Sequence, residues 1–381
     1  MNPSQARHLF PITKNHIFMN HAGMSPMSYR VQAALGGLLD ELTSTAFHHS
    51  LIEESTQQLR GSLAGLVGAP TETIAITRSA AHSLSLLVQG FPWSPGDNLI
   101  RTSGSGIVDS HSWSSLPEKG IEIRELENSY EEITPETIFS LADERTRLIS
   151  INHVHPWTGR QIDAQAIGRE AQSRGIIVAL DASQSVGAIA IDLAELPVDF
   201  LAADAWRFIM GPVGIGFAYC AADLCKKLRP NSSAVIGTSP EATFDALFQP
   251  PTADHPLEES PFSSLDTIAF GVATNLLLEV GLPVIEAEVL KLTTQLAEGL
   301  VERGYELIGE WPRQSAQASG IVSFRRPGSS LHELRREMKA AGIVAQAHAD
   351  FVRLSPHFFN TEQEVFRVLE MLTPTQALVR H

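Results

Sequence analysis

The sequence predicts an α/β protein with a large domain built on a mainly parallel sheet sandwiched by helices, plus a smaller C-terminal α/β domain. Three observations support this class. Short apolar, β-branched runs alternate with longer helical patterns over the first two thirds of the chain, which is the order that a parallel sheet requires. A Pro- and Ser-rich stretch at 228–262 interrupts this order. A long helical pattern and a second, shorter set of strands and helices follow it.

Seven short runs are predicted to form the strands of the large domain. Each is apolar and rich in aliphatic or β-branched residues, as the strands of a sheet covered on both faces are. They span residues 73–77, 98–102, 121–126, 147–152, 176–181, 198–204 and 214–219.

Helical patterns lie between several of these strands. "AAHSLSLLVQG" fills residues 80–90, and "AQAIGREAQSRG" fills residues 164–175 and ends at Gly175, as expected of a helix C-cap. In a parallel sheet connected by helices, ligands usually bind beyond the carboxyl ends of the strands. The binding pocket is therefore expected at that edge.

The chain is predicted to divide into an N-terminal arm (1–18), a large α/β domain with the active-site pocket (19–262) and a C-terminal part (263–381). The C-terminal part begins with a long helical pattern that is broken near Gly281 and Pro283. Its small α/β domain has predicted strands in "YELIG", "GIVSFRR", "IVAQA" and "FVRLS", a helix over "SLHELRREMKAAG" and a last helix from about Thr361.

Composition argues against several functional classes. The formal net charge of -15 disfavours nucleic-acid binding, which needs clustered Lys and Arg. Cys220 and Cys225 are too few for a disulfide framework and lack the spaced partners of a zinc site. The sequence has no apolar run of about 20 residues, the length that crosses a membrane. We therefore expect a cytoplasmic protein that acts on a small molecule.

Several sequence blocks occur in an order typical of one enzyme family. They are "HIFMNHAGMSPMSYRVQAAL", "IAITRSAAHSLSLLVQG", "VALDASQSVGAIAIDLAELPVDFLAADAWRFIMGPVGIGFAY" and "VRLSPHFFNTEQEV". Over nearly the whole chain, this order resembles the class V aminotransferases of pyridoxal-phosphate (PLP) fold type I. That family includes cysteine desulfurases, isopenicillin-N-epimerase-like enzymes and kynureninases. The resemblance implies the PLP-dependent transferase fold type I and a homodimer with its active site near the subunit interface.

Three residues match positions that bind cofactor or substrate in that family. The resemblance implies that Asp181 pairs with the pyridinium nitrogen of PLP, that Gln184 contacts the ring hydroxyl, and that Arg353 binds the substrate carboxylate. These roles suit the side chains, because a carboxylate stabilises a protonated ring nitrogen and a guanidinium matches a carboxylate. From the residues alone, Asp181 can instead cap a helix, and Arg353 can form a surface ion pair.

Arg207 stands where the family has the lysine that forms a Schiff base with PLP. A guanidinium stays protonated in proteins, so Arg207 keeps the charge but cannot be the nucleophile. Asp204 and Trp206 stand where family members commonly have a phosphate-binding Ser and a His, and a carboxylate repels a phosphate dianion. We therefore expect no covalently bound PLP, and we regard PLP as a disfavoured ligand. We also expect no metal.

Other positions depart from the family pattern in the same direction. Ala81, Ile107 and Pro156 stand where phosphate-binding, ring-stacking and ring-hydroxyl residues are implied. The loop "AQAHADF" contains His348 and has no cysteine that could carry a persulfide. Transamination and cysteine desulfuration are therefore disfavoured.

The remaining pocket candidates are imidazole, aromatic and charged side chains. His153 and His155 point to the same side if the strand continues through them, which suits acid/base catalysis. The alternatives are a metal site completed by Asp109, His111 or Asp204, and a structural role. The predicted catalytic residues are Arg207, His153, His155 and Asp181, and the predicted substrate-binding residues are Arg353, Gln184, Trp206, Asp204, Trp157, His111 and His348.

Three functions remain open at this point. The favoured one is an enzyme without a covalent PLP–lysine bond that acts on a small, carboxylate-bearing, amino-acid-derived substrate by acid/base and electrostatic catalysis, as a lyase, cyclase, isomerase or hydrolase. The second is a PLP enzyme that binds the cofactor non-covalently or through another lysine. The third is a non-catalytic homologue that binds a metabolite.

Overall fold

The computed structural model describes residues 1–45, 49–102, 113–126, 133–229, 257–258, 262–311, 315–328, 330–348 and 350–372. The strands are β1 (Ile17–Phe18), β2 (Ile74–Thr77), β3 (Asn98–Thr102), β4 (Glu122–Leu126), β5 (Thr146–Asn152), β6 (Ile177–Asp181), β7 (Phe200–Asp204), β8 (Gly216–Cys220), β9 (Glu306–Leu307), β10 (Val322–Arg325), β11 (Ile343–Val344), β12 (Gln346–His348) and β13 (Phe351–Leu354). The α-helices are α1 (Pro3–Arg7), α2 (Tyr29–Ser44), α3 (His49–Val67), α4 (Ala80–Gly90), α5 (Pro135–Phe139), α6 (Ala164–Ser173), α7 (Ala222–Cys225), α8 (Ser264–Val280), α9 (Leu282–Glu302), α10 (Leu331–Ala340) and α11 (Glu362–Met371).

The large sheet has seven strands in the order β2-β8-β7-β6-β5-β3-β4. β8 is antiparallel to both of its neighbours, whereas the pairs from β7 to β4 are parallel. All seven strands lie within two residues of their predicted bounds. The prediction of a mainly parallel sheet is confirmed.

Helices cover both faces of this sheet. Along β7, Phe200 and Ala202 belong to one buried core cluster, and Leu201 and Ala203 belong to another. Because strand side chains alternate between faces, an uninterrupted apolar run is what a doubly covered strand needs. This explains why β7 is apolar from Phe200 to Ala203 rather than alternately polar.

Two chain features set the helix boundaries near the pocket and at the domain connection. The Ser79 hydroxyl accepts a hydrogen bond from the His82 N–H and so caps the start of α4. Gly281 has a φ of 92°, which a glycine adopts without a Cβ clash, and it separates α8 from α9. The two helices are bent by 82°. The predicted break near Gly281 is therefore present.

A second sheet, in the C-terminal part of the chain, has four antiparallel strands in the order β12-β13-β10-β9. β1 pairs in parallel with β11, and Asn20 forms a bridge with Ser355 just beyond β13. Residues 17–20 therefore pair with β11 and with the residue that follows β13. The proposed boundaries after residues 18 and 262 remain predictions.

A buried ion pair anchors residues 257–258 to the edge strand β2. The Arg60 Nη2 lies 3.1 Å from Glu258 Oε2, and both side chains are only 3% exposed. Glu258 Oε1 also accepts a 2.8 Å hydrogen bond from the backbone N–H of Ile76. This carboxylate thereby satisfies both a buried cation and a donor of an edge strand.

Within the described part of the chain, no single helix is long and apolar enough to span a membrane, although α8 and α9 pass that length and composition test as a bent pair.

Candidate active site

Asp181 lies at the carboxyl end of β6, next to Asn152 at the end of β5. Its Oδ1 accepts a 2.9 Å hydrogen bond from the backbone N–H of Ser183. Burial raises the pKa of Asp181, and the nearby charge of Asp204 raises it further, while Ser183 and Arg207 act in the opposite direction. The carboxylate thus lies at the edge where a ligand is expected.

Asp204 ends the neighbouring strand β7 and is buried. Its Oδ1 accepts a 2.9 Å hydrogen bond from the backbone N–H of Ala80, the first residue of α4. Its Oδ2 lies 3.2 Å from Arg207 Nε. Burial raises the pKa of Asp204, whereas Arg207 and the Ala80 N–H lower it. Asp204 is therefore held by the chain itself at a helix N-terminus.

Residues 22–25 form hydrogen bonds with the turn that carries Arg207. The Arg207 Nη1 donates to the backbone carbonyls of Ala22 and Gly23, and the Ser25 N–H donates to the Trp206 carbonyl at 2.8 Å. The Ser25 hydroxyl donates to the Arg207 carbonyl at 2.5 Å. Sequence reasoning missed these contacts because a backbone carbonyl has no residue-type signature.

Arg353 is buried on β13 at 2% exposure. Its Nη1 donates to the Pro156 carbonyl at 2.7 Å, its Nη2 donates to Gln346 Oε1, and its guanidinium lies 4.9 Å from the ring centre of Trp157. Its Nε has no hydrogen-bond partner among the described residues. Burial and the positive charge of Arg207 lower the pKa of Arg353 to about 9, which leaves it charged at neutral pH.

Gln184 completes the set of polar residues around the pocket. Its Nε2 donates to the Ala22 carbonyl at 3.2 Å, the same carbonyl that binds Arg207. Its buried Oε1 has no partner in the described part of the protein. Because Arg207 shares the Ala22 carbonyl with Gln184 and pairs with Asp204, the structure brings these three predicted site residues together.

His153 is buried, and both of its ring nitrogens contact other side chains. Ser185 donates to the Ala182 carbonyl, so its oxygen is free to accept from His153 Nδ1 at 2.9 Å. This assigns the lone pair to Nε2, which lies 3.3 Å from Gln161 Nε2. Burial lowers the pKa of His153 to about 4. The side chain is therefore a neutral imidazole at physiological pH.

His155 does not follow the strand geometry assumed for the histidine pair. β5 ends at Asn152, so the two-residue repeat does not extend through both histidines. His155 Nδ1 instead accepts hydrogen bonds from the backbone N–H groups of Thr158 at 3.0 Å and Trp157 at 3.3 Å. In the structure, Nδ1 therefore stabilises the turn at 155–158. The catalytic role of His155 remains a prediction.

Both tryptophan candidates are partly buried. Trp157 is partly buried and stacks on the exposed His348, with 4.0 Å between ring centres. Trp206 is partly buried, with the Arg207 guanidinium 5.7 Å from its ring centre. His111 and Asp109 lie outside the described residues. Across the described ranges, no group of three His, Cys, Asp or Glu side chains is arranged to hold a metal.

We expect His153 to make the protein less stable in acid. In the unfolded chain a histidine titrates near pH 6.5, whereas folded His153 stays neutral down to about pH 4. Between these values the unfolded state binds more protons, so the free energy of unfolding falls as the pH decreases. In His153→Asn, the free energy of unfolding should change less steeply with pH, by up to about 1.4 kcal/mol per pH unit.

Urea unfolding at pH 7, 6 and 5 measures this slope. His332→Asn on the surface of α10 is the matched control. Because the buried His21 and His357 have lowered pKa values as well, part of the slope should persist in the variant. An identical slope in the wild-type and His153→Asn proteins would contradict the assignment.

Comparison with known proteins identifies relatives along nearly the whole chain. The aminotransferase class-V family model matches residues 20–368. A probable cysteine desulfurase of Methanothermobacter thermautotrophicus is 25% identical over 96% of each chain. Isopenicillin N epimerase of Streptomyces clavuligerus is 25% identical over 83% of each chain.

Solved structures show the same fold. The apo cysteine desulfurase of Thermococcus onnurineus NA1 has a TM-score of 0.83 at 23% identity, over 97% of each chain. A lysine-to-alanine mutant of C-DES, with glycine covalently linked to its PLP cofactor, has a TM-score of 0.86 at 20% identity, over 96% of this chain and 98% of that one. The predicted family resemblance and fold are confirmed.

The prediction that PLP is a disfavoured ligand is wrong. The relatives include a PLP-containing structure of this fold and point to PLP as the cofactor. The prediction gave too much weight to Arg207 and Asp204, where the chain departs from the pattern that the resemblance implies. It gave too little weight to Asp181 and Gln184, which match that pattern.

The described pocket residues fit the ring of PLP. Asp181 supplies a carboxylate at the strand edge, and Gln184 has an amide oxygen that is buried without a partner. All six lysines of the chain are exposed (Lys14, Lys119, Lys226, Lys227, Lys291 and Lys339). At the start of α4, the Ala80 N–H already donates a hydrogen bond to the Asp204 carboxylate. The ring end of the pocket therefore fits the cofactor more closely than the α4 end does.

Proposed function

This chain belongs to the aminotransferase class-V family, and from that premise we propose that it is a PLP-dependent enzyme acting on a small, amino-acid-derived carboxylate. The observation that carries the proposal is the buried guanidinium of Arg353, which has only neutral acceptors among the described residues. It lies close enough to Arg207 for their charges to interact, and Arg207 interacts with Asp181 in turn.

Arg353 is proposed to bind the substrate carboxylate. A buried cation without a counter-ion is costly, because its hydration is lost without an ionic partner. A carboxylate would supply that partner and could accept from the free Nε. The Trp157 ring beside Arg353 restricts the orientation of the guanidinium. The pocket therefore favours an anionic group at this end.

Asp181 and Gln184 are proposed to hold the cofactor ring. PLP supplies an electron sink when it is bound. The Asp181 carboxylate is suited to keep a proton on a ring nitrogen, and its Ser183 hydrogen bond orients it. Gln184 is oriented by the Ala22 carbonyl and leaves its oxygen free for the ligand.

Arg207 is proposed to contribute a fixed positive charge in place of a nucleophilic amine. Its guanidinium does not lose a proton at working pH, so it can stabilise negative charge but cannot act as a base. His153 remains the predicted base, with its lone pair on Nε2. Lyase, cyclase, isomerase and hydrolase reactions stay open, while transamination and desulfuration stay disfavoured as predictions.

We also propose a homodimer with the pocket near the interface and a cytoplasmic location. Exposed apolar side chains occur on both segments that meet at the Arg207 turn: Met24 is 55% exposed, Met27 is 46% exposed and Val213 is 56% exposed. These exposed side chains are the candidate contact surface for a second chain. Light scattering at micromolar protein should give the mass of two chains, and the mass of one chain would count against the dimer.

Titration with PLP tests the proposed cofactor site. Asp181→Asn should weaken PLP binding about 100-fold, since it removes the carboxylate that faces the protonated ring. The measurement is absorbance of bound PLP after dialysis and on titration. Asp199→Asn, at the opposite end of β7, is the matched control because Asp199 also accepts a backbone N–H. PLP binding that is absent from the wild-type protein, or unaffected in Asp181→Asn, would refute the proposal.

A further inference from the structure

The start of α4 carries an internal anion. A helix N-terminus attracts negative charge because its first N–H groups lack intrahelical partners. Here Asp204 Oδ1 lies 2.9 Å from the Ala80 nitrogen, on a helix of eleven residues. The second oxygen of the same carboxylate binds Arg207 Nε. Asp204 therefore uses the two groups that would otherwise attract an external anion.

The charge beside α4 is already paired within the chain. Asp204 Oδ2 forms an ion pair with Arg207 Nε at 3.2 Å. A phosphate dianion entering beside α4 would meet the Asp204 carboxylate at short range. Like charges in a buried site repel more strongly than they do in water.

The same edge also retains unused polar atoms. Thr102 Oγ1 at the end of β3, Asn152 Oδ1 at the end of β5 and Gln184 Oε1 are buried and have no partner among the described residues. Buried polar atoms are normally paired, so this edge is built for a ligand. Only the α4 side of it is already satisfied by the chain.

We infer that Asp204 determines which ligands the pocket admits: the phosphate of a ligand reaches the N-terminus of α4 only by displacing the Asp204 carboxylate from Ala80 and Arg207. Asp204 is thus a specificity residue that weakens binding of phosphate-bearing molecules relative to their dephosphorylated forms. For PLP itself, the inference rests on the proposed function, because it assumes that the ring occupies the Asp181 end.

The test compares ligands that differ only in the phosphate. Dissociation constants for PLP, pyridoxal and inorganic phosphate are measured by calorimetry for the wild-type protein, Asp204→Asn and the control Asp199→Asn. Asparagine retains an acceptor for the Ala80 N–H but removes the charge and frees Arg207. We expect Asp204→Asn to bind PLP and inorganic phosphate about 10- to 100-fold more tightly. Pyridoxal affinity should stay within about threefold of the wild-type value.

Asp204→Ser is the second variant, in case the asparagine protein folds poorly, since serine keeps a hydroxyl near Ala80. The inference is overturned if neither variant binds inorganic phosphate or PLP more tightly, or if pyridoxal tightens as much as PLP does. The two proposals fail differently. If PLP and pyridoxal bind to none of the proteins, the proposed function fails, while the inorganic phosphate measurement still decides the role of Asp204.

Discussion

Replacing Arg353 with methionine is expected to reduce carboxylate binding about 100-fold while leaving the fold largely intact. The guanidinium is buried beside Trp157, and its Nε is free to bind a ligand. Removing it deletes a charge-assisted contact worth about 2 to 5 kcal/mol in a desolvated site. Because its loss also relieves an unpaired buried charge, we expect the free energy of unfolding to change by less than about 1.5 kcal/mol.

The measurement uses PLP-loaded protein and a panel of the twenty standard amino acids. For each amino acid that the wild-type protein binds, the amine lacking the carboxylate is the matched ligand. Arg353→Met should weaken binding of the amino acid and leave binding of the amine unchanged. The amino-acid affinity of Arg353→Lys should lie between those of the wild-type protein and Arg353→Met, since lysine keeps the charge but not the planar fork. Equal weakening of acid and amine would show that Arg353 supports the pocket rather than the carboxylate.

Glu258→Gln is expected to lower the free energy of unfolding by about 3 to 5 kcal/mol. The substitution leaves Arg60 buried without a counter-ion, next to the edge strand β2. Breaking a buried pair from one side costs far more than the pair itself contributes. Urea unfolding at pH 7, monitored by circular dichroism, measures the change.

An exposed pair supplies the control for this prediction. Arg174 and Glu170 form an ion pair on α6 and its C-terminal end, and both side chains are 44% exposed. Glu170→Gln should cost less than about 0.5 kcal/mol. Combining Arg60→Met with Glu258→Gln should recover part of the lost stability, because it removes the stranded cation. Similar losses for the buried and exposed pairs would disprove the assigned role of Glu258.

Much of the scaffold was predictable from local pattern. The strand bounds, the helix over residues 80–90 and the break at Gly281 follow from apolar periodicity and backbone preference. Motif order also singled out Asp181, Gln184 and Arg353, whose roles stay predictions. The cofactor expectation failed because replaced contacts were weighed without the evidence of the relatives.

Other features depend on contacts between residues far apart in the chain. The hydrogen bonds between residues 22–25 and the Arg207 turn join positions about 185 residues apart. The ion pair of Arg60 with Glu258 joins positions 198 residues apart. The turn at His155 replaces the extended strand that its spacing suggested. Hydrogen bonds of this kind are decided by how the elements pack, which a local pattern does not encode.

The sequence by itself determined the fold class and the family, and it places at position 207 a guanidinium, which stays protonated. These features depend only on residue type and order, which the sequence gives directly. Only the tertiary structure decided that Asp204 fills the start of α4 and that Arg353 is buried without an acidic partner among the described residues. The reason is physical: charge pairing and desolvation depend on three-dimensional distance and burial, and neither is a property of sequence spacing.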